Sequence, residues 1–145
     1  PGNDTNPHPG GNGGDGTPIS ITGTSVVYAA GGGGGNAGGA GAGGSSGVGG
    51  RGGRWGGPAP TSGAANTGSG GGGANVDEDG NFDYPSGAGA GGVVVVAVPG
   101  NVSATVSGFT LGTTYTRDAS TRNGYTVFRF IYGGSSDQLT GTITF

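Results

Sequence analysis

Asp77, Asp79, Asn81 and Asp83 alternate within the segment VDEDGNFDYP at residues 76–85. Hard oxygen donors at such spacing suit Ca2+. An EF-hand loop wants Gly at its sixth place and a bidentate Glu at its twelfth. Here Gly80 is fourth after Asp77 as first, and the twelfth place holds Ala88. Phe82 and Tyr84 add apolar faces beside the carboxylates, a combination that suits sugars and protein loops alike. Three readings stand open for the segment. It is a Ca2+ site at Asp77, Asp79, Asn81 and Asp83, a solvated turn, or a receptor contact that also uses Phe82 and Tyr84.

A second cluster is RGGRWGGPAPT at residues 51–61. Trp55 is the chain's one Trp, and its neighbours are too small to cover it. Arg51 and Arg54 are suited to phosphate or carboxylate groups of a surface polysaccharide. The alternative is that Trp55 folds back over the backbone with Arg54 stacked on its ring.

Catalysis has little to work with. The chain has one His and neither Cys nor Lys, which excludes disulfides, thiolate metal sites and cysteine nucleophiles. His8 lies between Pro7 and Pro9 and reads as a solvated loop residue. A glycoside-hydrolase carboxylate pair must be held about 5 or about 6.5–9.5 Å apart in a cleft, and no cleft framework is legible. No enzyme, catalytic residue or resident cofactor is expected. The net charge of −3, with five Arg against eight acids, gives no basic footprint for nucleic acid. The longest apolar run, at residues 93–98, is far short of the roughly 20 residues of a membrane helix. The chain opens on Pro1, which reads as a processed or excised piece of a longer protein.

Whatever these loops do, a glycine-rich backbone must position them. Gly supplies 42 of 145 residues, about four times its usual share of roughly 7%. Across residues 29–92 the large apolar side chains are Val48, Trp55, Val76, Phe82 and Tyr84 alone. Such a stretch is either a flexible linker or a region whose backbone does the packing. Collagen is excluded, because a frame started at Gly31 and Gly34 meets Ala37 where Gly is obligatory. Polyglycine II remains: threefold extended helices at about 3.1 Å per residue, each N–H and C=O bonded to a neighbouring helix so that buried backbone is paired. Gly runs of moderate length should then be broken by polar turns, as at Ser45-Ser46, residues 58–62 and residues 75–86.

Around this region lie strand signals. Residues 18–28 (PISITGTSVVY) alternate and read as a hairpin turning at Gly23-Thr24. Residues 93–98 (VVVVAV) read as a fully buried strand, ended by Pro99-Gly100. Val102, Ala104 and Val106 alternate, and a bulge near Ser107-Gly108 shifts the phase toward Phe109, Leu111 and Tyr115. Residues 117–124 form a polar turn with Asn123-Gly124 as its signal. Residues 125–132 (YTVFRFIY) should be the central strand, residues 133–138 a turn, and Leu139, Ile143 and Phe145 a final strand with one wet face.

The order of these motifs resembles the glycine-rich domain of bacteriophage tail fibre, tail-tip and adhesin proteins. GGNGGDGTPISITGTSVVYAAGGGGG at residues 10–35 is similar to the family's opening hairpin and first Gly run. ANTGSGGGGA at 65–74 and SGAGAGGVVVVAVP at 86–99 are similar to its later Gly run and closing valine-rich strand. GYTVFRF and GTITF resemble its accompanying β-module. Trp55 with its Arg pair and the acidic insertion at Asp77 depart from the pattern, and the resemblance makes such insertions the variable binding parts.

The expected fold is all-β with a polyglycine II sandwich and no α-helix. Its expected parts are an extended lead-in at 1–17, a hairpin and sandwich at 18–98 closed by the valine-rich strand, and a β-module at 99–145. The resemblance implies a virion tail protein outside the cell, with a homotrimer and a single chain both open. Its partners would be other tail proteins and a host-surface glycan or protein, with no nucleic acid and no membrane span. Two further classes stand beside it: a purely structural tail component and an ice-binding polyglycine II protein.

Overall fold

The computed structural model describes residues 9–36, 38–75, 81, 84–109, 114–131 and 140–145. Its elements are β1 (Thr17–Ile19), β2 (Val26–Tyr28), a single helical turn α1 (Gly44–Gly47), β3 (Val93–Pro99), β4 (Thr105–Ser107), β5 (Tyr115–Asp118), β6 (Tyr125–Ile131) and β7 (Thr142–Thr144). The class is all-β, as expected. The one helical piece among the described residues is α1, a four-residue GSSG turn at the polar break Ser45-Ser46. Gly47 ends it at φ +100°, a left-handed conformation that glycine adopts without strain.

Two units divide the chain. One comprises Pro1–Thr17 with Val27–Ala90, the other Pro18–Val26 with Gly91–Phe145. This differs from the expected parts in two ways. The segment expected to be a mere lead-in belongs to the glycine-rich unit: Gly31 N–H donates to Gly14 at 2.8 Å and Gly34 N–H to Gly11 at 2.8 Å. The valine-rich strand does not close that unit. It pairs instead with β6, from Val93 opposite Ile131 to Pro99 opposite Tyr125. Both corrections have the same cause. Backbone in the glycine runs bonds to other side-chain-free backbone, whereas β-branched residues need a pleated partner with side chains to pack against.

The glycine-rich unit is a backbone lattice. Its bonds recur every third residue. Gly33 and Asn36 donate to Gly50 and Gly53, Gly50 and Gly53 donate to Gly70 and Gly73, and Gly70 and Gly73 donate to Ala30 and Gly33. Both partners advance together in each pair, so runs 29–36, 49–54 and 69–75 are parallel and bond in a closed ring of three. Antiparallel runs surround them: Gly41 and Gly44 donate to Gly34 and Gly31, Thr61 and Ala64 to Arg51 and Val48, and Gly87 and Ala90 to Gly72 and Ser69. Burial repeats with the same period. The buried positions of run 69–75 are Ser69, Gly72 and Asn75, and those of run 29–36 are Ala30 and Gly33. Glycine is obligatory here because of neighbours, not φ. A Cβ on Gly72 would run into the Arg51 carbonyl.

The second unit holds a sheet of order β3-β6-β5 and a β4-β7 pair. β6 is central, as its two-sided apolar pattern predicts, and Val98, Val127 and Phe128 are buried. β3 is an edge strand instead of a fully buried one, and Val94 is 62% exposed. Phe109, Tyr115 and Phe130 form an aromatic cluster, with the Phe109 and Phe130 centroids 4.8 Å apart. Gly108, where the bulge is expected, takes φ +79° directly after β4 ends at Ser107, and the continuation through Leu111 lies outside the described residues. The β1–β2 hairpin forms, but Gly23-Thr24 is not its two-residue turn. Gly23 N–H bonds Ser20 at 3.0 Å, and the strands are three residues each. Leu111, residues 133–138 and Leu139 lie outside the described residues. No helix among the described residues is long and apolar enough to cross a membrane.

Candidate functional site

The direction of the runs decides where the loops emerge. Runs 29–36, 49–54 and 69–75 are parallel and level, with Asn36, Gly53 and Gly73 bonded in sequence. Runs 49–54 and 69–75 therefore end together, and the antiparallel run that bonds Gly87 to Gly72 and Ala90 to Ser69 begins at that same end. The Trp55 loop at 54–58 leaves from there, and Tyr84 stands at the start of the antiparallel run.

The Trp55 loop is built from backbone bonds. Gly57 N–H donates to Arg54 at 3.0 Å across a four-residue turn, and Arg54 N–H to Pro58 at 3.3 Å. Gly56 takes φ +60°, which the third position of a type II turn requires. Below the turn, Thr61 N–H bonds the Arg51 carbonyl at 2.9 Å and Arg51 N–H bonds Thr61 Oγ1 at 2.8 Å. The Arg51 guanidinium donates from Nη2 to the Ala59 carbonyl at 2.9 Å. This bond braces the loop.

Arg54 is different. It is exposed, and its stem lies over Gly57, where a Cβ would sit 3.2–3.3 Å from Arg54 Cβ, Cγ and Cδ. Its guanidinium does not stack on Trp55; the cation–π contact among the described residues is Arg122 over Tyr125. Trp55 is 37% exposed and Tyr84 41%. The loop end therefore presents an indole and a guanidinium from one turn, with a phenol from another connection. Such a surface binds planar apolar faces and hydrogen-bonding or anionic groups.

Asn81 is exposed and engaged in an interaction. Asp77, Asp79, Phe82 and Asp83 lie outside the described residues, as does His8, so the Ca2+ expectation falls where the structure says nothing. Among the described residues no group of three or more His, Cys, Asp or Glu comes together.

One residue that sequence reasoning passed over is Asn75. It reads as the start of a polar break, yet it is buried completely. The signal was its spacing, three beyond Gly72 and six beyond Ser69 on the inward face of a threefold run.

Among the described residues, the perturbed carboxyl lies in the other unit, at the end of β5. Asp118 accepts from Thr121 Oγ1, from Ser120 N–H at 2.7 Å, from Ser120 Oγ at 2.8 Å and from Thr121 N–H at 3.1 Å. These bonds, that from the Thr121 hydroxyl foremost, hold its carboxyl well below the usual carboxylate range. The arrangement is an Asx-type turn, a structural device and not a site.

No protein-family model, curated protein or solved structure matches the chain.

Proposed function

We propose that this chain is a non-enzymatic recognition protein of a bacteriophage tail, in which a polyglycine II sandwich holds loops against a host surface. The observation that carries this reading is the convergence of the Trp55 and Tyr84 loops at one end of a lattice bonded backbone to backbone. Rigid scaffolds with loops at one end are a general solution for recognition. The three-residue repeat of the bonds supports the polyglycine II geometry, and the order of sequence motifs supports the tail-protein class. The exposed Arg54–Trp55 pair favours an envelope glycan bearing carboxylate or phosphate groups. The test is binding of the chain to whole bacterial cells and to extracted envelope glycans, with Trp55→Ala and Tyr84→Ala variants that keep the wild-type unfolding temperature. Loss of binding in either variant is expected; binding unchanged in both overturns the reading.

A second reading, a tail component that only packs against other chains, draws support from β3, an edge strand among the described residues, with Val94 exposed. Burial of both loops by neighbouring chains in the assembled particle would favour it. The ice-binding alternative is disfavoured by the Arg54 and Trp55 projections, and a thermal-hysteresis measurement tests it directly.

A further inference from the structure

Asn-Gly occurs at residues 12–13 and again at 123–124. This dipeptide carries its own chemistry. The glycine amide nitrogen can attack the carboxamide carbon of the preceding side chain, because no Cβ on the second residue blocks the approach. The attack needs both partners free and the peptide between them able to rotate. The two copies differ in both respects.

At Asn12 the partners are tied into the lattice. Gly13 N–H donates to the Ala42 carbonyl at 2.8 Å, and Asn12 Oδ1 accepts from Ala42 N–H at 2.9 Å. Gly13 also packs against the Gly31 carbonyl, with no room for a Cβ. Two hydrogen bonds must open before the nitrogen can reach the carboxamide.

At Asn123 neither partner is held. Tyr125 N–H donates to the Arg122 carbonyl at 3.1 Å and Gly124 takes φ +76°, so Asn123 and Gly124 are the central pair of a type II turn. Both are exposed. Among the described residues, the Asn123 side chain, the Asn123 carbonyl and the Gly124 N–H make no hydrogen bond. Apart from the adjoining residues, no atom lies within 4 Å of the place a Cβ on Gly124 would take. The central peptide can therefore turn over while the Arg122–Tyr125 bond stays, since glycine accepts φ of either sign. The Gly124 carbonyl belongs to the next peptide and keeps its bond from Gly100 N–H at 2.8 Å.

We propose that Asn123 is a site of spontaneous deamidation. Hydroxide takes the Gly124 amide proton, the nitrogen bonds to Asn123 Cγ, and the bond from Cγ to the side-chain nitrogen breaks. Ammonia leaves with a proton from water. Water then opens the succinimide at one carbonyl or the other, giving aspartate or isoaspartate. Nothing is oxidised or reduced, and the net change is water taken up and ammonia released. The product sets a carboxylate next to Arg122, whose guanidinium holds the Ile21 carbonyl, and its isoaspartyl form lengthens the turn by one backbone atom.

The test is incubation of the whole folded chain in mildly alkaline buffer, with the peptides carrying Asn12 and Asn123 quantified by mass spectrometry. Asn123 should convert at least about tenfold faster than Asn12, where two hydrogen bonds protect the site. Its rate should rise with pH, because hydroxide generates the attacking nitrogen. In guanidinium chloride, with the lattice opened, the two rates should converge. An unchanged Asn123, or equal rates at both sites in the folded chain, overturns the proposal. So does a gap that persists in denaturant, since flanking sequence and not the fold would then decide. Asn123→Ser should lose the acidic species that the wild type develops on isoelectric focusing, and its appearance at an undiminished rate counts against the site.

Discussion

The Arg122 guanidinium stands 4.0 Å from the centre of the Tyr125 ring, while its Nη1 donates to the Ile21 carbonyl at 3.1 Å. One side chain thereby joins the turn before β6 to the loop of the β1–β2 hairpin. Gly23 packs beside it, where a Cβ would lie 2.9 Å from Arg122 N. Arg122→Ala removes both contacts and should cost about 1–2 kcal/mol, read from urea unfolding. Arg122→Lys should recover only part of this, because an ammonium keeps a donor but loses the planar stacking face.

The lattice makes a position-specific claim about glycine. Gly72→Ala would drive a methyl into the Arg51 carbonyl and should destabilise by about 1–3 kcal/mol or more. Gly14 has open space where a Cβ would be and is not among the positive-φ glycines. Gly14→Ala should be neutral or stabilise by up to about 1 kcal/mol. Denaturant midpoints of the two variants check the contrast. Deuterium exchange should find the Gly33, Gly50 and Gly70 amides slow, and rapid exchange there would contradict a bonded lattice.

Asp118 makes a prediction about acid. Its folded pKa lies below the unfolded value of about 3.9, because the Thr121 and Ser120 donors bond the ionised form. Its stabilising contribution is therefore fully present above the unfolded pKa and disappears as pH falls through the folded one. An NMR titration should find this carboxyl still ionised at a pH where a carboxylate of ordinary pKa has begun to protonate. Asp118→Asn should flatten the acid limb of the stability curve below about pH 4 and leave neutral-pH behaviour of that limb unchanged in slope.

The two arginines of the Trp55 loop should separate. Arg51→Ala removes the bond to Ala59 and should increase the mobility of Trp55, seen as lower fluorescence anisotropy. Arg54→Ala leaves those bonds in place and should not change unfolding. It should weaken binding to an anionic envelope glycan by about tenfold, the equivalent of ~1.4 kcal/mol for one charge-assisted contact. Equal effects of both variants on both readouts would contradict the division of roles.

Much of the strand content was legible because side chains announce it. The two-sided apolar pattern of residues 125–132 marks a central strand, and β6 is central. The positive φ of Gly124 sits where Asn123-Gly124 signals a turn. Pairing partners were harder to read. Residues 93–98 carry no mark that distinguishes a partner in the glycine-rich unit from β6, and their run of valines does not reveal that Val94 faces outward. In the lattice the difficulty is deeper. Backbone bonds between glycines leave no side-chain signature, so nothing in GGNGGDG announces that Gly11 and Gly14 accept from Gly34 and Gly31. The candidate loops were legible as composition, an indole and arginines among glycines. That Trp55 and Tyr84 share an end was not, since it follows from the directions of the runs. Arg51 and Arg54 look alike in sequence, and only the Ala59 carbonyl tells them apart.

The threefold lattice also determines how this unit responds to temperature. Ordinary domains owe the large heat-capacity increment of unfolding to the hydration of apolar surface, while newly exposed polar surface lowers it. A unit whose interior is amide against amide exposes mainly the second kind when it opens. Its increment per residue should fall well below the usual roughly 12–15 cal/mol/K, giving a broad, shallow free-energy profile that changes little from cold to warm.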